Sequence, residues 1–275
     1  MRFAICNEIY QGWAMEDAMA HAKKTGYEGF EIAPFTMGNY VTQVSPGERQ
    51  RVREMAQKHG LVLTGIHWVL VGAEGMYLTS PEEEVRRKTS QYFVELVKFC
   101  ADLGGKVVVL GSPKQRSLLP GVTFEQAWEW ATECLRPAVK AAEDRAVTVC
   151  FEPLAPMETN FVNRAEDAIR FAHQFHSPAM KIILDVKAMC GETKPIPQII
   201  RESKGEFVYF HANDRNLKGP GFGDTDFRPI AAALREVGYD GWVSVEVFKF
   251  EEGADVIATR SLEYLRQVFQ EPAAV

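Results

Sequence analysis

Short apolar runs rich in Val, Ile, Leu and Phe alternate with longer amphipathic stretches along the whole chain, the pattern of strands alternating with helices. The apolar runs predict eight strands, over residues 3–7, 29–33, 62–67, 106–111, 147–152, 181–185, 207–211 and 242–247. Apolar positions at helical spacing predict eight helices, near residues 14–24, 46–59, 81–103, 123–144, 165–175, 197–202, 229–237 and 254–269. Runs such as Val107-Val108-Val109-Leu110 do not alternate with polar residues, as expected of parallel strands buried on both faces, so helices must cover the sheet. No linker, low-complexity tract or shift in composition interrupts the repeats. Eight β-α units in one stretch predict a single-domain (β/α)8 TIM barrel, an α/β fold, over residues 1–275. An open doubly wound sheet usually has fewer strands and a glycine-rich first turn, and no GxGxxG follows the first strand here. Punctuation agrees: Ser45-Pro46, Ser80-Pro81-Glu82-Glu83 and Thr123-Phe124-Glu125-Gln126 read as helix starts, and Lys58-His59-Gly60 and Val237-Gly238 as stops.

Composition narrows the class of function. Thirty-one basic against 37 acidic side chains give a net charge of −6 with no dense Lys/Arg run, which argues against nucleic acid or an anionic membrane surface as partner. The apolar runs fall far short of the roughly 20 residues that a membrane helix needs. The first eight residues turn polar too early for a signal peptide, so a cytoplasmic protein is expected. Five scattered cysteines, Cys6, Cys100, Cys134, Cys150 and Cys190, form no CxxC pair and read as reduced core residues.

In a (β/α)8 barrel the chemistry sits at the C-terminal ends of the strands. Strand five runs out at Glu152, strand six at Asp185, strand seven at His211 and strand eight at Glu246. A single carboxylate at a strand end is most often a helix cap or a salt-bridge partner. Four potential ligands on four successive strands are a divalent-metal pattern. Three carboxylates and one imidazole suit Mn2+ best, with Mg2+ or Co2+ as alternatives, rather than structural zinc. Other rim residues have two readings each. His67 and Trp68 end strand three, where they either bond and stack on a sugar or pack the barrel top. The polar, basic loop Gly111-Ser112-Pro113-Lys114-Gln115-Arg116 is placed to hold an anionic or polyhydroxy ligand, with Arg116 its strongest cation. Phe248 is expected to wall the pocket. His59 reads as a helix C-terminal cation, His21, His173 and His176 as helix-surface residues, and Trp128 and Trp130 as packing.

The motifs Phe151-Glu152-Pro153-Leu154, Leu184-Asp185, Phe210-His211-Ala212-Asn213-Asp214, the segment from Gly219 to Phe227, and Gly238-Tyr239-Asp240-Gly241-Trp242-Val243-Ser244-Val245-Glu246 resemble the xylose-isomerase-like barrel superfamily. Within it, the chain is similar to sugar epimerases of the D-tagatose 3-epimerase type and to sugar phosphate isomerase/epimerase proteins. The resemblance covers essentially the whole chain. It implies that Glu152, Asp185, His211 and Glu246 bind the metal and that the two glutamates exchange protons with substrate carbon. It also implies that Glu158 lies near the substrate, that Lys218 stands where such epimerases carry a substrate-binding Arg, and that the protein is a homo-oligomer, a dimer or tetramer. The chain departs from the pattern at Ala188, where the epimerases have a histidine three residues after the strand-six aspartate, and Lys187 is the nearest replacement.

These readings lead to a metal-dependent isomerase or epimerase of a small ketose, aldose or sugar derivative, working through an enediolate. A lyase on the same barrel, an inosose-type dehydratase or an eliminase of 3-keto-glycosides, is the main alternative, because an enediolate can also expel a β-leaving group. An endonuclease of the superfamily would need more histidines and a basic surface. A non-catalytic sugar-binding barrel would have no use for a complete ligand set.

Overall fold

The computed structural model describes residues 1–270, and the five residues that complete the expected 1–275 domain lie outside it. Eight strands, β1 (Arg2–Cys6), β2 (Gly29–Ile32), β3 (Val62–Ile66), β4 (Val107–Leu110), β5 (Thr148–Phe151), β6 (Met180–Asp185), β7 (Phe207–Ala212) and β8 (Trp242–Val245), form a closed barrel. Every neighbouring pair is parallel, and β1 closes on β8 with Ala4 opposite Ser244. All eight strands fall on the predicted apolar runs.

Among the described residues the helices are α1 (Met15–Thr25), α2 (Pro46–Lys58), α3 (Glu83–Leu103), α4 (Phe124–Arg145), α5 (Ala165–His173), α6 (Val186–Met189), α7 (Ile196–Glu202), α8 (Phe227–Glu236) and α9 (Ala254–Gln270). Local chemistry sets their ends. The Ser45 hydroxyl accepts the Glu48 N–H at the start of α2, and Thr123 and Gln126 complete a reciprocal capping box on α4. Two details differ from expectation. The short helix α6 was not predicted, because its cap is Asp185, whose carboxylate accepts the Ala188 N–H. Helix α8 starts at Phe227, two residues early, because Asp226 accepts the Arg228 N–H.

The core has two compartments. A large one, between strands and helices, includes Phe30, Phe93, Phe151, Phe171 and Leu234. A small one fills the barrel interior with Ala4, Val107, Val109, Cys150, Ile183, Tyr209 and Trp242. Above it the interior turns polar, and the strands deliver side chains to a cavity at their C-terminal ends. No described helix is long and apolar enough to cross a membrane.

Candidate active site

Each member of the central cluster follows an apolar run that the barrel buries, so the strand fixes where its side chain emerges. Glu152 and Glu246 lie one residue past β5 and β8, Asp185 ends β6, and His211 is the penultimate residue of β7. One donor atom from each of the four lies within 4.8 Å of those of the others. Asp185 is paired with His211 in the strand register, and His211 with Ser244. The four residues singled out from the sequence thus converge on one point.

Their surroundings are uneven. Asp185 accepts the Ala188 N–H at 2.7 Å and the Asn213 amide at 2.5 Å. Glu246 accepts the Trp68 indole N–H at 2.8 Å and has its other oxygen 3.2 Å from His211 Nδ1. The Glu152 carboxylate makes no hydrogen bond among the described residues. A Cβ on Gly111 would overlap it, so the glycine after β4 leaves it room. Burial, reinforced by the charges of Asp185 and Glu246, pushes Glu152 up to about 8. Burial also raises Asp185 to about 6, against the pull of Lys187. Burial acts the same way on Glu246, but the His211 imidazole outweighs it and holds this carboxyl down at about 2. Three carboxylates therefore crowd one imidazole, an excess of negative charge that a divalent cation would relieve.

A cavity of about 490 Å3 opens above the cluster, with Glu152, Glu158, Lys187, Glu246, Trp68 and Phe248 in its lining. Lys187, 8% exposed, reaches Glu158 at 2.8 Å and lies 3.8 Å over the Phe248 ring. Burial opposes its charge, but Asp185, Glu246, Glu158 and Glu152 together raise its pKa above the usual lysine range. The Trp68 indole is stacked between Phe35 and Phe248, at 5.9 and 5.7 Å. Its backbone φ is +51°, a left-handed conformation that a bulky residue seldom adopts, and the stack with the bond to Glu246 offsets that strain.

Three expected substrate contacts are not brought to this cavity. His67 is wholly buried, 2.7 Å from Glu8 and 3.5 Å from Glu31, because its ring turns into the barrel instead of toward the mouth. Arg116 is 1% exposed; its guanidinium covers the Phe151 ring and donates to the Leu110 and Val162 carbonyl oxygens. The rest of its loop, Gly111 to Gln115, does line the cavity. Lys218 is drawn outward into an ion pair with Glu252.

Three residues of the site escaped the sequence reading. Asn213, inside a motif quoted above, bridges Asp185 and the Lys187 N–H and also approaches Glu246. Glu31 accepts from His211, Tyr209 and Ser244, and Glu8 pairs with His67. The signal for Glu31 was a lone carboxylate within the otherwise apolar Phe30-Glu31-Ile32-Ala33.

Fold and cluster together define a (β/α)8 barrel with a carboxylate-rich centre at its mouth. The chain belongs to the xylose isomerase-like TIM barrel family, whose model matches residues 19–268. It is 27% identical over 227 residues to D-psicose 3-epimerase of Ruminiclostridium cellulolyticum, covering 82% of this chain and 75% of that enzyme. It is 24% identical over 274 residues to a probable ketose 3-epimerase of Synechocystis, covering 90% and 89%. The crystal structure of D-psicose 3-epimerase from Clostridium cellulolyticum H10 shares the fold, with a TM-score of 0.85 at 22% identity over 98% of this chain and 100% of that one.

Proposed function

We propose that the protein is a divalent-metal-dependent sugar isomerase or epimerase that moves a proton at the carbon next to a carbonyl of a small ketose, aldose or sugar derivative. The observation that carries this reading is the convergence of Glu152, Asp185, His211 and Glu246 beneath one cavity. The donor set fits a cation: His211 Nδ1 is buried 3.2 Å from Glu246 with no well-formed hydrogen bond among the described residues, and the carboxylates beside it outnumber the positive charges that face them. Oxygen-rich ligation with one nitrogen favours Mn2+, with Mg2+ or Co2+ next. When bound, the ion supplies Lewis-acid polarisation of a carbonyl and its neighbouring hydroxyl, which acidifies the carbon-bound proton.

The chain's own residues do the rest. Glu152 follows β5 and Glu246 follows β8, with β6 and β7 between them, so the two carboxylates approach the centre from different sides. One removes the carbon-bound proton, and the other returns a proton to the resulting enediolate. Trp68 orients Glu246 through the indole N–H, and Lys187 and Glu158 meet substrate oxygens. Phe248 and Trp68 wall the reacting carbon from water. The 3-epimerase relatives support this type of reaction.

Ala188 and Lys187 favour one second reading. The Lys187 ammonium borders the cavity, next to Ala188, the position where the family resemblance implies a histidine in the epimerases, and it is suited to neutralise a departing oxygen in a β-elimination. One experiment separates the two: incubation with Mn2+ in D2O across ketoses, inososes and 3-keto-glycosides, followed by NMR and mass spectrometry. An epimerase or isomerase places deuterium beside the carbonyl, whereas a lyase releases a hydroxyl or aglycone. Neither product from any of the three classes would overturn both readings. His211→Ala and Asp185→Asn are expected to lower metal content and activity together.

A further inference from the structure

Glu31 is a wholly buried carboxylate on a strand that is otherwise apolar. Although it belongs to β2, it meets residues of β7 and β8 across the barrel interior. Its Oε2 accepts the Tyr209 hydroxyl at 2.9 Å and the Ser244 hydroxyl at 2.7 Å, and both its oxygens stand 3.2 Å from His211 Nε2. Tyr209 gives its single proton to Glu31, so Thr64, 2.6 Å away, donates to the Tyr209 oxygen. The carboxylate thus dictates the direction of each hydrogen bond in this layer.

An ionised carboxylate accepts and does not donate, so the His211 nitrogen facing it must carry the proton. With Nε2–H tied to Glu31, the ring turns Nδ1 upward to within 3.2 Å of Glu246, and among the described residues it makes no well-formed hydrogen bond there. We propose that Glu31 is the positioning residue of the centre: it sets the ring orientation and proton placement of His211 so that Nδ1 is the nitrogen offered to a divalent cation. This rests on the metal reading of the four-residue cluster. Glu31 is not among the residues lining the cavity.

The test is Mn2+ titration, read from the electron paramagnetic resonance of free Mn2+, on wild type, Glu31→Gln and Ser244→Ala. It is joined by 15N spectra of the histidine rings in the Zn2+-loaded proteins and by thermal melts. Glu31→Gln keeps the shape, but with its amide oxygen accepting from Tyr209 and Ser244 it places an NH2 at the Oε1 position, against the His211 and His67 nitrogens. It is expected to weaken Mn2+ binding by about 10- to 100-fold and to scramble the His211 proton position. Ser244→Ala removes one donor to the carboxylate and none to the imidazole, so its effect is expected to be smaller. Wild-type affinity and an unchanged His211 ring in Glu31→Gln would overturn the proposal, and so would a lower melting temperature with unaltered affinity, which is a structural role alone. Should that variant fail to fold, the wild-type spectrum decides, since a proton on His211 Nδ1 in place of Nε2 overturns the proposal. Failure of the underlying reading looks different: wild type itself would bind neither Mn2+ nor Zn2+, and the proposal would fall with it.

Discussion

On the β1–β3 side of the barrel mouth, Glu8 and Glu31 are buried around His67, one imidazole between two carboxylates. On the β5–β8 side, Glu152, Asp185 and Glu246 crowd around His211. The first group is charge-paired, although Glu8 also borders a separate cavity of about 450 Å3: burial acts against its charges, but His211 and His67, with Ser244, hold Glu31 down at about 2, and Cys6, Glu8 and Glu31 keep His67 well above the usual imidazole range despite burial. The second group borders a cavity and leaves Glu152 without a hydrogen bond among the described residues. Charges matched inside the fold build a platform. Charges left unmatched at a cavity are held there by the rest of the fold and are available for a ligand. His211 joins the two, with one nitrogen on each group.

The largest effect is expected from the unmatched side. Glu152→Gln and Glu246→Gln each remove a titratable base, and turnover should fall by about 10^2- to 10^4-fold while an amide oxygen still retains some metal. Steady-state rates with metal analysis of the same samples check this. Full turnover in either variant would make that residue a ligand only, with Glu158 the next base to test.

The same side should show a pH-dependent metal affinity. A cation requires Glu152 ionised, yet without metal its carboxyl titrates at about 8. Below that value each proton displaced should weaken the apparent Mn2+ affinity by about tenfold per pH unit, and above it the dependence should flatten. Isothermal titration in two buffers of different ionisation enthalpy would count the protons released. An affinity flat across that range would mean that Glu152 is already ionised.

Stability should discriminate between the two groups in the opposite sense. Glu8→Gln removes the nearer of the two carboxylates that face the buried His67 imidazolium, a loss of up to about 3–5 kcal/mol, which corresponds to a drop in melting temperature on the order of 10 °C. Glu152→Gln, measured in chelator, replaces a carboxyl that is largely neutral below about pH 8 and should melt close to wild type there, and above wild type at higher pH, where it removes like-charge crowding. If both melted alike, the distinction between matched and unmatched charges would fail.

The smallest effects concern the lysines. Lys187→Met keeps the stem and removes the ammonium, so KM should rise with metal binding intact. Lys218→Met, at an ion pair away from the cavity, should leave kcat/KM within about twofold of wild type. Equal effects from the two would mean that the loop after β7 closes over the substrate.

Much of the centre was legible because it lies where periodicity stops. An apolar run marks a buried strand, and the first ionisable residue at its end must emerge at the barrel mouth, which places Glu152, Asp185, His211 and Glu246. The same rule could not say which way a side chain turns there. His67 and Arg116 also follow strand ends, yet both turn inward, His67 to Glu8 and Arg116 to carbonyl oxygens and the Phe151 ring. Asn213 was visible only as part of a motif, since its role depends on Asp185 and Lys187 reaching it from β6 and α6.

By itself the sequence determined the order of strands and helices, the eight-unit barrel and the four strand ends that carry donor atoms, because these follow from local patterns of apolar spacing, capping and length. Only the tertiary structure decided which charges are matched. Glu31 meets Tyr209 across 178 positions of sequence and Ser244 across 213, and His67 meets Glu8 across 59. Barrel closure makes those distances short, and no local pattern encodes the partner on the far wall, because the pairing exists only once β1 has joined β8.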